Sequence, residues 1–137
     1  MSGSPRRVAL DASALLAWVL RERGHDTVDK ILAFAVIPSS AMVETLYRAL
    51  ERGHGQSSAA LHADLLALGL MVESVTDADT VRAAELIATS KADPGVGSLS
   101  LGDGLCTAVA KRLQLPVTGG DRYWSQVDAT VPFLPFR

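Results

Sequence analysis

Short apolar runs alternate along this chain with longer stretches in which apolar residues recur every three or four positions. Val8-Ala9-Leu10 is apolar throughout and stops at Asp11, the pattern of a strand buried on both faces. A helix over Ala14 to Leu20 follows, which Asp11 or Ser13 can cap and which charged residues and Gly24 close. A second helix covers about Asp26 to Leu32, and Ala33 to Ile37 reads as a second buried strand, stopped by Pro38. Ser39-Ser40 open a helix to about Arg52, with Val43, Leu46, Tyr47 and Leu50 at helical spacing and Gly53 as its stop. Ser57 to Leu68 is an amphipathic helix ended by Gly69, and Leu70 to Val72 is a short third strand. Thr76 or Asp77 caps a helix over Ala78 to Thr89. Lys91 to Gly102, rich in Pro, Gly and Ser, is the longest expected loop. A helix over Asp103 to Leu113, a strand at Val117-Thr118, a Gly119-Gly120 turn and a last strand near Thr130 to Leu134 complete the pattern.

Strands alternating with helices predict an α/β fold with a mainly parallel sheet of four to five strands, flanked by helices on both faces. The 137 residues form one expected domain, with residues 1–6 as a flexible N-terminal tail. A 48% apolar and 20% charged composition is that of a globular chain and excludes a largely disordered one. The formal charge of −2 shows no basic excess for nucleic acid, although a carboxylate cluster would itself lower that figure. The single cysteine, Cys106, excludes an internal disulfide and fits a reducing compartment. No apolar stretch approaches the roughly 20 residues of a membrane span, and Met1 to Arg7 has no apolar segment after it of the secretory type. The expectation is a cytoplasmic protein without a membrane partner.

Four acids change the picture: Asp11, Glu44, Asp103 and Asp121. Asp11 and Asp121 stand where strands have just ended, and Glu44 and Asp103 lie near the starts of two helices. In an α/β sheet those places meet at one edge, the edge that carries ligands. Carboxylates gathered there repel one another unless a hard cation neutralises them, and hard cations of the magnesium type take oxygen ligands. Each acid also has a purely structural reading. Asp11 and Asp103 can be helix caps, Glu44 can pair with Arg48 one turn later, and Asp121 can close an Asx-turn. Singly those readings are the better ones; the shared edge favours metal-dependent chemistry on phosphate.

Other chemistry finds less support. His25, His54 and His62 have no metal-ligand partner at helical spacing, which disfavours zinc. Cys106 beside Leu105 in an apolar helix suggests packing. The glycines at 102–104 and 119–120 lack the Lys and Ser or Thr of a phosphate-cradling loop. Trp18 and Trp124 read as core or interface residues rather than base-stacking platforms.

The segments Val8 to Leu15, Ser40 to Glu44, Leu99 to Ala108 and Leu115 to Trp124 together resemble the PIN-domain ribonucleases, and within them the VapC-type toxins of bacterial toxin–antitoxin pairs. The likeness spans nearly the whole chain in order and spacing. It implies a Rossmann-like sheet, a Mg2+ or Mn2+ site, and endonucleolytic hydrolysis of RNA phosphodiesters that arrests growth. It also implies a homodimer inhibited by a small cognate antitoxin. Asp11, Glu44, Asp103 and Asp121 match the family's acidic tetrad, with Asp11 and Asp103 expected as direct ligands. Ser13 matches the hydroxyl residue that supports the first acid. One departure stands out: where the family carries Thr or Ser two residues before its fourth acid, this chain has Gly119, and Thr118 lies one residue earlier.

RNA contacts have to come from local basic residues; Arg6, Arg7, Arg48, Lys91 and Arg122 are the candidates by nearness in sequence to the acidic edge. Two rivals stand beside this reading. One is a non-catalytic PIN-like module that grips a basic peptide with its acidic edge. The other is a housekeeping RNA-processing or DNA flap nuclease, a class that usually brings further domains or a helical arch.

Overall fold

β1 (Val8–Leu10) is buried along its whole length because it lies at the centre of the sheet with helices on both faces. The computed structural model describes residues 7–92, 98–119 and 130–137; the expected N-terminal tail lies outside them. Within them the order of elements is β1, α1 (Ala12–Val19), α2 (His25–Ile31), a 3-10 turn (Leu32–Phe34), β2 (Ala35–Pro38), α3 (Ser39–Glu51), α4 (Ser58–Ala67), β3 (Met71–Glu73), α5 (Asp77–Ala92), α6 (Leu101–Leu113), β4 (Val117–Gly119) and β5 (Phe133–Pro135). The sheet runs β3-β2-β1-β4-β5, and every neighbouring pair is parallel. The inner strands β1, β2 and β4 are buried throughout, whereas the edge strands β3 and β5 are partly exposed. None of the helices among the described residues is long and apolar enough to cross a membrane.

Alternation along β1 divides the core in two. Val8 and Leu10 join Leu15, Leu16, Val28 and Leu65 under α1 to α4. Ala9 faces the other way, with Val117, Ala83, Leu86 and Cys106 under α5 and α6. The winding goes from β1 through β2 to β3 on one side, then returns across the sheet to β4 and β5 on the other. Since parallel crossovers keep one hand, the return moves the helices to the opposite face. The point of return lies between β1 and β4.

Most element boundaries shift by a residue or more from the sequence reading, and three of the shifts have a clear local reason. α5 runs three residues past the expected end at Thr89, into the segment expected as a loop. Ser90 allows this: buried, it donates to the Ile87 carbonyl at 2.7 Å and accepts from the Leu99 amide at 2.9 Å. Residues 93–97 of that segment lie outside the described set. α6 starts at Leu101 rather than Asp103, because Ser100 and Asp103 form a capping box. A 3-10 turn takes Ala33 and Phe34, so β2 begins at Ala35. At Gly24 the backbone is left-handed (φ +93°), and a side chain there would run into Phe136.

The β3–α5 junction is tied to the end of α6 by an arrangement that the linear pattern does not show. Thr76 and Asp79 cap α5 reciprocally, through the Thr76 amide (2.9 Å) and the Asp79 amide (3.2 Å). Arg112 then reaches in: its Nε and Nη2 donate to Asp79, its Nη1 to Glu73 at 2.9 Å and its Nη2 also to the Ser74 carbonyl. Burial pushes the Asp79 carboxyl up, but the hydrogen bonds from Arg112 and Thr76 outweigh it and leave the group below its ordinary value.

Removing the partner strands a buried carboxylate. Arg112→Ala is expected to cost roughly 2–3 kcal/mol, less than a fully buried pair because the guanidinium is partly exposed, and to lower Tm by about 10 °C. Because the folded carboxyl is depressed, the pair's contribution is present above the ordinary carboxylate range and lost as pH falls through the lowered value. Thermal melts across pH should therefore show the gap between wild type and variant closing below about pH 4.

Candidate active site

The site begins at the switch point, where β1 and β4 deliver their last residues side by side. The Asp11 amide donates to the Thr118 carbonyl at 3.1 Å, so the acid emerges from the sheet at a set height. Its carboxylate turns back onto α1: Oδ1 accepts from the Ala14 amide at 2.8 Å, and the Ser13 hydroxyl lies 2.7 Å from Oδ1 and 2.8 Å from Oδ2. Asp11 is buried, yet both oxygens have donors.

Glu44 comes from α3, the helix that leaves the end of β2. Its Oε2 pairs with the Arg48 guanidinium at 3.0 Å. Its Oε1 rests against the first turn of α6, where a Cβ on Gly102 would approach it to 2.9 Å. Asp103 stands in that same turn, its amide donating to the Ser100 hydroxyl at 3.1 Å and its Oδ2 accepting from the Ser100 amide at 3.5 Å. Asp11, Ser13, Glu44, Arg48, Asp103 and Arg137 line one open pocket of about 420 Å³. The N-termini of α1 and α6 face it, and helix N-termini favour negative charge.

Cys106 lies beneath this pocket. The thiol is fully buried, 3.6 Å from the Leu10 carbonyl, and desolvation pushes its pKa well above the ordinary value. Asp11, Asp103 and Glu44 all push the same way, so one buried group senses the three carboxylates together.

The donor set is all carboxylate oxygen, which suits a hard divalent cation. Among the described residues, however, no three His, Cys, Asp or Glu side chains are placed to hold a metal ion by themselves. Each acid is drawn to its own local partner, and like charges keep apart. Magnesium takes one or two protein carboxylates directly and keeps several waters, so the pocket fits such an ion without a ready-made cage.

The remaining sequence candidates divide. Arg48 is in the pocket. Arg7 is not: it precedes β1 and so stands at the opposite edge of the sheet, where nearness in sequence to Asp11 carries it away from the acids. There it lines a larger cavity of about 710 Å³ with Lys111, Gln114 and Leu115, where no acid lies among the described residues. Lys91 borders a separate cleft between α5 and α6 with Ile87 and Leu105. Thr118 supports Asp11 through its backbone carbonyl. By strand alternation its buried side chain points to the α1 face, away from Gly119's side of the sheet. Asp121, Arg6, Arg122 and Trp124 lie outside the described residues. Arg137 escaped the sequence reading, since nothing in its neighbourhood along the chain links it to Asp11. No histidine lines the pocket.

The family model for the PIN domain matches residues 8–129. No curated protein sequence matches the chain significantly. Among solved structures, the DNA-bound VapBC of Salmonella typhimurium superposes with a TM-score of 0.73 at 12% identity, covering 97% of this chain and 100% of that one. VapC20 of Mycobacterium tuberculosis, a toxin that cleaves the sarcin–ricin loop, gives 0.69 at 19% identity, with 88% and 95% covered. VapBC2 of Rickettsia felis, bound to a promoter DNA fragment, gives 0.70 at 13% identity, with 94% and 98% covered. At such identities the likeness is one of fold.

The buried, electrostatically disfavoured thiolate makes Cys106 slow to react. Iodoacetamide at pH 8 should label the native chain on the order of 100-fold more slowly than the denatured one, read by mass spectrometry. Equal rates would mean that the thiol is not enclosed beneath the acids.

Proposed function

The chain belongs to the PIN-domain family, and from that premise we propose that it is a metal-dependent endoribonuclease, the toxin of a VapBC-type toxin–antitoxin pair. The observation that carries this reading is the meeting of Asp11, Glu44 and Asp103, from three separate elements, in one pocket at the switch point with Arg48 and Arg137. Capping alone gives no reason for three acids and two arginines to share a cavity.

Asp11 and Asp103 would hold the cation directly, with Glu44 and Asp121 direct or through water. When bound, Mg2+ or Mn2+ offsets the charge of the carboxylates and the phosphate and makes a water more acidic. The chain's own groups bind and orient. Ser13 and the Ala14 amide fix the Asp11 carboxylate, so little reorganisation accompanies the reaction. Arg48 and Arg137 offer planar guanidinium donors to the RNA phosphate, and the Glu44 pair holds Arg48 at the rim.

The proposed partners are an RNA substrate, a small antitoxin and a second copy of the chain. α3 supports such assembly: Val43, Tyr47 and Leu50 are exposed at one-turn intervals, an apolar stripe on the helix that also carries Glu44 and Arg48. One observation favours a non-catalytic binding module instead, namely that each described acid has a local partner and no three of them form a metal-holding group.

Cleavage assays separate the readings. Asp103→Asn should lower Mg2+- or Mn2+-dependent RNA cleavage by at least about 100-fold while leaving helix content by circular dichroism unchanged, and EDTA should silence the wild type. Cleavage that survives both would remove this pocket as the active site, and absence of cleavage at any metal concentration would leave the binding module. RNA should be cut in preference to DNA. Expression without antitoxin should arrest bacterial growth, and the arrest should vanish in Asp103→Asn. Arg137→Ala should weaken RNA binding and reduce its salt slope by about one.

A further inference from the structure

Gly119 stands where glycine is locally the poorer choice. It ends β4, it is not among the residues with a left-handed backbone, and strands favour β-branched side chains at such positions. What excludes a side chain is Asp11. A Cβ on Gly119 would lie 2.5 Å from Oδ2, 2.8 Å from Cγ and 3.2 Å from Oδ1 of that carboxylate.

Neither partner yields easily. β4 is held between β1 and β5 by parallel pairing on both sides. The carboxylate is held by the Ser13 hydroxyl and the Ala14 amide, and a swing away from a new Cβ would break one or both bonds. The empty volume at Gly119 is therefore filled by the acid rather than by solvent or a core side chain.

We propose that Gly119 is a positioning residue for Asp11: by lacking a Cβ it keeps the carboxylate turned into the pocket with its cap intact, and so sets the site's affinity for a divalent cation. The cation half rests on the nuclease reading; the positioning half does not. In this chain the hydroxyl that contacts the Asp11 carboxylate comes from Ser13.

The test compares the full chain with Gly119→Ala, Asp11→Ala and the double variant. Two readouts are used: Mn2+ affinity by titration calorimetry, and Ala14 amide hydrogen exchange by NMR without metal. Gly119→Ala should weaken Mn2+ binding about tenfold or more and speed Ala14 exchange severalfold. On the Asp11→Ala background the glycine substitution should change Mn2+ affinity no further. Unchanged affinity with unchanged Ala14 exchange overturns the proposal, as does an equal loss of affinity on the Asp11→Ala background. If the wild type binds no Mn2+, the nuclease reading fails and Ala14 exchange alone decides for or against positioning. If Gly119→Ala does not fold, recovery of folding in the double variant supports the clash with Asp11, and failure to recover overturns it.

Discussion

The reversal of winding between β1 and β4 is the constraint on which the rest of the molecule depends. A parallel sheet built outward from β1 in both directions leaves its two central strands ending side by side with no crossover above them. The Asp11 amide bonded to the Thr118 carbonyl joins those ends and forms the floor of the crevice. Because the helices on the two sides start from opposite faces, the N-termini of α1 and α6 come together over that floor. Positive helix ends then surround the place where a negative side chain first leaves the sheet.

This explains how several carboxylates share a small pocket without unfolding it. Helix N-termini stabilise nearby anions by about 0.3–1 kcal/mol each, and Asp11, Glu44 and Asp103 each have a donor of their own. The structural and chemical readings of these residues are therefore not rivals. Asp11 caps α1, Asp103 completes the Ser100 box, and Glu44 pairs with Arg48. The same bonds hold the three side chains in orientations that line one cavity. Caps and the candidate site coincide here because anions and capping side chains both draw on the unpaired amides of helix N-termini.

The fold was legible because its signals are local. Continuous apolar runs marked the inner strands, three- to four-residue recurrence marked the helices, and serines at the heads of α3 and α4 marked their starts. The missed features depend on contacts distant in sequence. α5 continues past Thr89 because Ser90 meets Leu99 from beyond the following segment. Arg112 finds Asp79 across 33 positions, which no window along the chain can detect. Arg7 misled for the opposite reason: it is four residues from Asp11 in sequence and a full strand away in space, because a strand separates its two ends.

By itself the sequence determined the class of fold and the sheet edge at which Asp11, Glu44 and Asp103 meet. Those properties follow from periodicity, capping chemistry and the rule that parallel strands end together. Only the tertiary structure decided that Arg137 joins Arg48 beside the acids, that the Thr118 carbonyl accepts from the Asp11 amide, and that Gly119 leaves room for the Asp11 carboxylate. The reason is steric and electrostatic. A side chain's partners in a packed α/β domain come from neighbouring strands and facing helices, and their spacing to tenths of an ångström is set by the packing of both cores, not by any stretch of chain.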